Sequence, residues 1–373
     1  MGRETYTGDV AFELRGHLGI ITLNRPHAVN ALTQLMCECL LVQLQDWAVD
    51  DAVTQVLIRG AGDRGLCAGG DVASLYQEMV ALQDRDGGGI LPECAPGYAA
   101  EFSSESFLAT EYALNLTIAQ YPKPFIALMD GLVLGGGIGI SAHGSHRLVT
   151  QRTRAGMPET TIGFSPDVGG TWLLANAPGR TGLHAGLTGT HLDAADTIAL
   201  GLADSQVESE ALLELTQALS HAPVDEVLPA FRVESPGSAL EQSREWIDSA
   251  YAAPTVEQLL TQLEELGQTE PAAAETARVL RRKSPLALKV AHRAILAAEK
   301  LSLPEALDQE FTIAVHMLRS RDFREGIRAQ IIDKDRSPQW SPVRLEDVSE
   351  DLVETYFTPV PHRRLASMQP SLT

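Results

Sequence analysis

Two glycine-dense stretches could each present main-chain N–H groups with no side chain in the way: residues 60 to 71 (GAGDRGLCAGGD) and 135 to 140 (GGGIGI). Such loops either cradle a phosphate or bring backbone amides up to a reacting oxygen. Either loop alone also reads as an ordinary tight turn. A Walker pattern needs Lys and Ser or Thr directly after its last glycine, and the second stretch has neither. A dinucleotide fingerprint can be half-forced onto it. However, the Asp130-Gly131 step before the triplet and the close of the first loop on Asp71 are not parts of that fingerprint. Amides from two loops can instead converge on one oxygen, an oxyanion hole whose donors are fixed before charge develops.

Carboxylates are the other candidates for chemistry. Glu159 follows Pro158 and Asp167 follows Pro166, so each sits where a proline fixes the local backbone. With 49 Asp and Glu among 373 residues, an acid near any loop carries little information by itself, and Glu111 in isolation reads as a charge on a helix surface. Carboxylates crowded into an apolar pocket raise at least one pKa, which would let one act as an acid while another stays ionised. His143 and His146 read as packing or surface residues on a short helical segment.

These residues need elements to hold them. Residues 18 to 24 (LGIITLN), 53 to 59 (VTQVLIR) and 125 to 129 (FIALM) are β-branched or apolar runs of strand length. Between the first two, Met36, Leu40, Leu44 and Trp47 recur at spacings of four, four and three, one face of a helix. Strands therefore deliver a glycine loop twice. Residues 83 to 100 read as a surface loop, with Gly87, Gly88, Gly89, Pro92 and Pro96. After about residue 190 the strand signals stop. Leu259, Leu260, Leu263 and Leu266 mark one helix, Ser284-Pro285 opens another, and Pro304 suits the first turn of a third. The last twenty or so residues, with Pro359, Pro361 and Pro370, read as a frayed tail.

Three segments taken together, LCAGGDV (66 to 72), YPKPFIALMDGLVLGGGIGI (121 to 140) and MPETTIGFSPDVGG (157 to 170), resemble in order and spacing the signature of the crotonase superfamily. The resemblance runs from about residue 10 to about 345 and includes RDFREGIRAQIIDKDRSPQW (321 to 340), similar to that family's C-terminal helix and closing turn. It implies an α/β fold of the ClpP/crotonase type, a spiral of ββα units. Residues 10 to 200 would form the core, 201 to 345 a mainly helical region completing the active site, and 346 to 373 a tail. It also implies that the amides of Gly70 and Gly136 hold the carbonyl oxygen of a coenzyme A thioester, with Gly135, Asp71 and Glu111 contacting the substrate. Arg25, Pro26, His27, Cys67 and Ala68 would lie along the coenzyme A portion, with Lys283, Lys289 or Arg293 near its phosphates.

Hydratases of this superfamily hold water between two glutamates. One of these matches Glu159, but the other falls on Gly139, which speaks against simple hydration. The pairing of MPET with PDVGG resembles 3-hydroxyisobutyryl-CoA hydrolases, in which Glu159 would act on the carbonyl carbon as nucleophile or general base and Asp167 would handle the water proton or the substrate hydroxyl. The expectation is hydrolysis of a β-hydroxyacyl-CoA, a step of valine breakdown. The alternatives are an enoyl-CoA hydratase or isomerase and a catalytically idle acyl-CoA-binding protein. A homo-oligomer, trimer or hexamer, is a further implication of the resemblance.

Composition narrows the partners. Lys and Arg number 29 against 49 acids, a net charge of −20, which repels nucleic acid and anionic membranes and requires any phosphate-bearing ligand to be held by a local positive feature. Cys37, Cys39, Cys67 and Cys94 have no CxxC spacing and no matching His pair, so neither a metal site nor a disulfide framework is expected, and no cofactor beyond the substrate's own coenzyme A. No run of eighteen apolar residues occurs and the first ten residues lack a signal or transit pattern, so a cytoplasmic protein is expected.

Overall fold

The computed structural model describes residues 4–6, 8–85, 103–359 and 365. The segment 83 to 100, including Cys94, falls almost entirely outside them.

In chain order the strands are β1 (Glu4–Tyr6), β2 (Val10–Arg15), β3 (Leu18–Leu23), β4 (Gln55–Gly60), β5 (Gly65–Cys67), β6 (Phe125–Met129), β7 (Leu132–Leu134), β8 (His146–Val149), β9 (Arg154–Gly156), β10 (Ser205–Val207) and β11 (Arg232–Val233). Helices α1 (Gln34–Val49), α2 (Val72–Arg85), α3 (Ser103–Ala119), α4 (Gly136–Gly139), α5 (Gly170–Ala175) and α6 (Thr181–Thr188) alternate with them. Mainly helical chain follows. By packing, the chain forms two compact units that interleave in sequence. The first is Met1–Gly70, Thr110–Gly156 and His191–Gln242; the second is Asp71–Ala109, Met157–Thr190 and Ser243–Thr373.

The first unit holds every strand found among the described residues. An eight-stranded sheet runs β1-β2-β3-β4-β6-β8-β10-β11, and a three-stranded sheet runs β5-β7-β9. The centre of the large sheet, β3 through β10, is parallel, and so is the small sheet. Consecutive strands alternate between the two sheets, β4 to β5, β6 to β7 and β8 to β9, which is the repeat expected of stacked ββα units. Parallel strands covered on both faces read as continuous apolar runs, which is why 18 to 24 and 125 to 129 carry no polar alternation. On one face Leu18, Ile20, Leu57, Ile126, Leu128 and Leu148 pack with Leu215 and Leu219. On the other side of β3, a Cβ at Gly19 would meet the Trp47 ring at 2.8 Å, so glycine there lets α1 lie close. Met36, Leu40, Leu44 and Trp47 are all buried, as their spacing predicted. Thr33 caps α1 by accepting from the Met36 amide at 3.3 Å.

Strand structure does not stop at 190. β10 and β11 extend the large sheet, but at three and two residues they are too short to leave a periodic signal. His146 opens β8 rather than lying on a helix, and its Nε2 is 3.3 Å from Asp225.

In the second unit, helices Val256–Leu266, Pro285–Ala298 and Leu303–Met317 appear where the leucine spacing, Ser284-Pro285 and Pro304 place them. Ser284 caps its helix by accepting from the Ala287 amide, and Ser302 with Glu305 forms a capping box. The C-terminal stretch expected as tail contains a helix, Glu350–Tyr356, with Val353 and Tyr356 buried. The first of its prolines, Pro359, comes only after the helix has ended.

Candidate active site

The glycine loops belong to the first unit and pack on each other. A Cβ added to Gly136 would lie 3.3 Å from the Gly70 nitrogen, and one added to Gly69 would lie 3.7 Å from the Gly136 nitrogen. At Gly137 a Cβ would stand 2.5 Å from the Cys67 carbonyl oxygen, so α4 can rest on β5 only because this position has no side chain. Gly135 turns the chain into α4 at φ +49°, and its amide is held by the Gly156 carbonyl at 3.1 Å. The Leu32 amide takes the Gly69 carbonyl at 2.9 Å. Neither the Gly70 nor the Gly136 N–H donates to a main-chain oxygen among the described residues. Two amides brought together with their hydrogens unused by the backbone are the donors an oxyanion needs.

Glu111 reaches the same place. It lies in the part of α3 that belongs to the first unit, is 2% exposed, and its Oε1 is 2.4 Å from where a Gly136 Cβ would be. The helix-surface reading of this acid is therefore wrong: most of α3 is buried, and this residue with it. Burial pushes the Cys67 thiol up to about 12, and the Glu111 charge adds to that. Cys37 is raised in the same way, by burial first and then by Glu111. Both thiols are therefore protonated at neutral pH and are not nucleophiles. Since the Cys67 side chain is fully buried, any contact it makes with a ligand is through the main chain.

Arg25, Pro26 and His27 enter a short 3-10 turn, Pro26–Ala28. The Arg25 guanidinium donates to the Ala31 carbonyl at 2.6 Å and stands 3.4 Å from Asp9, while His27 is exposed. Ala68 is half-buried, and its amide is bound by the Val29 carbonyl.

The two motif carboxylates belong to the second unit, within one segment that folds back on itself: a Cβ at Gly170 would meet the Met157 methyl carbon at 2.5 Å. Glu159 is the first residue of a 3-10 turn, Glu159–Ile162, and is 7% exposed. Helix Arg321–Ile327 packs on this turn so closely that a Cβ at Gly326 would clash with the Ile162 oxygen, and the rings of Phe164 and Phe323 meet at a tilt with centroids 4.5 Å apart. The RDFREG motif thus serves as a seat for the glutamate. Asp322 anchors that seat, accepting from Ser284 Oγ and from the Ser341 amide at 2.7 Å.

Asp167, 8% exposed, leads into Val168 at φ +55° and Gly169 at φ +78°. Glu310 braces the turn, accepting from the Gly169 amide at 2.6 Å, from the Thr171 amide at 2.8 Å and from the Thr171 hydroxyl. Burial raises the Glu310 carboxyl to about 8, against those donors and with help from the Asp167 charge. Asp71 has a local structural role: the Ser74 amide lies 3.4 Å from its Oδ1 at the start of α2.

Two further residues support these turns, Glu310 without any sequence signal and Lys283 where a phosphate contact was expected. Glu310 sits 143 positions after Asp167, and Lys283, 8% exposed, donates to Thr161 Oγ1 beside Glu159. Lys289 and Arg293, expected near phosphates, are ion-paired with Glu257 and Glu354. Among the described residues no cluster of three His, Cys, Asp or Glu could hold a metal ion.

The sequence profile of the enoyl-CoA hydratase/isomerase family matches residues 18–357. The chain belongs to that family. Within it, the chain is 36% identical over 368 residues to a Danio rerio protein named 3-hydroxyisobutyryl-CoA hydrolase, mitochondrial, covering 96% of this chain and 91% of the relative. The Homo sapiens protein of the same name is 34% identical, with 94% and 88% covered. Among solved structures, a carnitinyl-CoA dehydratase from Mycobacterium thermoresistibile superposes with a TM-score of 0.88 at 42% identity, covering 97% of this chain and 99% of its own. An enoyl-CoA hydratase from Rhodobacter sphaeroides 2.4.1 gives 0.84 at 36% identity, with 96% and 99% covered. This family member therefore has the crotonase-type α/β fold that its three motifs imply, and among its described residues no helix is long and apolar enough to cross a membrane.

Proposed function

We propose that this protein hydrolyses a β-hydroxyacyl-CoA thioester, with 3-hydroxyisobutyryl-CoA as substrate and 3-hydroxyisobutyrate and free coenzyme A as products. In this reading the Gly70 and Gly136 amides hold the thioester oxygen while Glu159 acts at its carbon, as nucleophile or as the base that takes a proton from water. The water oxygen joins the carbonyl carbon, the C–S bond breaks, and the thiolate leaves with a proton. Each amide would contribute about 3 kcal/mol as charge develops on the oxygen. Glu111 and Asp71 would contact the substrate, and Asp167 would manage the water proton or the substrate hydroxyl.

The observation that carries the reading is the approach of Gly70 to Gly136, with a carboxylate, Glu111, buried against the second. Relatives named as hydrolases over nearly the whole chain support thioester hydrolysis over other uses of such a site. The dehydratase and hydratase names of the two superposed structures support a second reading, reversible addition of water to an enoyl-CoA. Gly139, where hydratases of the family carry the second glutamate, speaks against it.

Purified protein is incubated with 3-hydroxyisobutyryl-CoA and with crotonyl-CoA, following free thiol and enoyl absorbance. Thiol release from the first alone is expected; enoyl loss without thiol release would replace hydrolase by hydratase. Glu159→Gln should lower kcat by about 10²–10⁴ with little change in melting temperature. Near-normal turnover in that variant would remove the proposed mechanism. A cytoplasmic location and a homo-oligomer are parts of the same proposal, to be checked by cell fractionation against relatives named mitochondrial and by light scattering.

A further inference from the structure

Lys283 is a buried cation that the reaction described above does not use. Burying an ammonium is costly unless something nearby repays it. Its Nζ donates to Thr161 Oγ1, and Thr161 lies two residues beyond Glu159 on the same 3-10 turn. Gly189, at φ +62°, ends α6 directly against this pair: a Cβ there would stand 3.3 Å from both Lys283 Nζ and Thr161 Oγ1, and 3.1 Å from the Pro158 Cα. The lysine is therefore wedged between the end of α6 and the turn that carries Glu159. It immediately precedes Ser284, which caps the next helix and also binds Asp322, so its backbone is tied to the seat of that turn.

We propose that Lys283 is a positioning residue for Glu159: anchored on Thr161, its ammonium fixes the orientation of the turn and keeps the Glu159 carboxylate ionised and ready to act. The inference rests on the assignment of Glu159 as the group that attacks or activates water.

The electrostatics agree with the geometry. Burial lowers the Lys283 ammonium to about 8, and the Glu159 charge is what opposes that fall. Apart from Glu159, the turn consists of the uncharged Thr160, Thr161 and Ile162, and α6 ends in the uncharged Thr188 and Gly189. A lysine held this way is still mostly charged at pH 7 and loses its proton in the mildly alkaline range. The carboxylate then loses its cation.

The chain has five lysines, Lys123, Lys283, Lys289, Lys300 and Lys334, so [ε-¹³C]lysine labelling gives a spectrum simple enough to titrate. In the full-length protein one resonance should titrate near pH 8, vanish in Lys283→Met, and move to lower pH in Glu159→Gln. A Lys283 resonance that titrates with the other four, or at the same pH with and without Glu159, overturns the proposal. This arm needs no substrate, so it stands even if the hydrolase reading fails in the thiol assay.

In that assay Lys283→Met should lower kcat about ten- to hundredfold, the equivalent of one to two pKa units of interaction, with KM nearly unchanged. The acid limb of its kcat profile should move to higher pH, and Lys283→Arg should restore part of the rate. A Lys283→Met enzyme whose kcat profile superposes on wild type overturns the proposal. Should that variant fail to fold, Thr161→Val, which removes only the anchoring hydroxyl, should shift the lysine titration and lower kcat in the same direction. An unchanged titration and rate in Thr161→Val count against the proposal equally.

Discussion

Val168 is a β-branched residue at φ +55°, a region L side chains avoid, and it directly follows the candidate catalytic Asp167. Something must hold it there, and Glu310 does, by accepting the amides on either side of Gly170. Glu310→Ala would leave the Gly169 and Thr171 amides without their acceptor, at a cost of about 1–3 kcal/mol for each, measurable by urea denaturation. Glu310→Gln tests the charge. The folded carboxyl titrates at about 8 against an ordinary value of 4.5, so the folded state holds this proton more tightly than the unfolded one. Its stabilising contribution is full below 4.5 and is lost as pH rises through 8. The stability difference between wild type and Glu310→Gln should therefore shift against wild type across that window; a difference independent of pH would show that Glu310 is ionised throughout. The brace was invisible in the sequence because a glutamate on the helix Leu303–Met317 has the same local signature whether it faces solvent or a turn folded from a distant part of the chain.

At the level of elements, two helices approach their neighbours backbone to backbone, and in each case a glycine permits it. α4 rests on β5 at Gly137, and Arg321–Ile327 rests on the Glu159 turn at Gly326. Gly326→Ala would push a methyl group to 2.2 Å from the Ile162 oxygen. We expect a loss of about 1–3 kcal/mol of stability from overpacking, together with a fall in kcat larger than the stability change explains, because the element displaced is the one that carries Glu159. Gly137→Ala should cost similar stability and act through the amide of Gly136. Parallel measurements of kcat and melting temperature would check both; variants with wild-type values would show that these contacts have room to relax. The glycine triplet was legible because glycine at that density needs a reason. Gly326 was legible only as part of a motif, since one glycine in a helix has no local explanation.

For the whole molecule, pH bears on stability through three buried histidines among the described residues: burial lowers His316, and lowers His184 and His292 further. Burial lowers both His184 and His292 to about 4 from an ordinary 6.5, so the folded state binds their protons less tightly than the unfolded state does. Their contribution is present above 6.5 and is lost as pH falls through 4. Melting temperature should therefore drop between pH 7 and pH 5, and a His184→Gln, His292→Gln double variant should show a smaller drop; an equal drop would place acid sensitivity in His316 or the carboxylates instead. The sequence by itself determined the αβ core, the two glycine loops, the motif carboxylates and three long C-terminal helices, because periodicity, caps and glycine density act between residues close along the chain. Only the tertiary structure decided that Glu111 faces inward, that β10 and β11 extend the sheet, that Glu310 braces the Asp167 turn and that Lys283 binds Thr161 on the turn that carries Glu159. Each of these joins residues that are distant in the chain or too few to form a pattern. Their partners are chosen by which surfaces meet when the chain packs, and a local pattern of side chains does not encode that meeting.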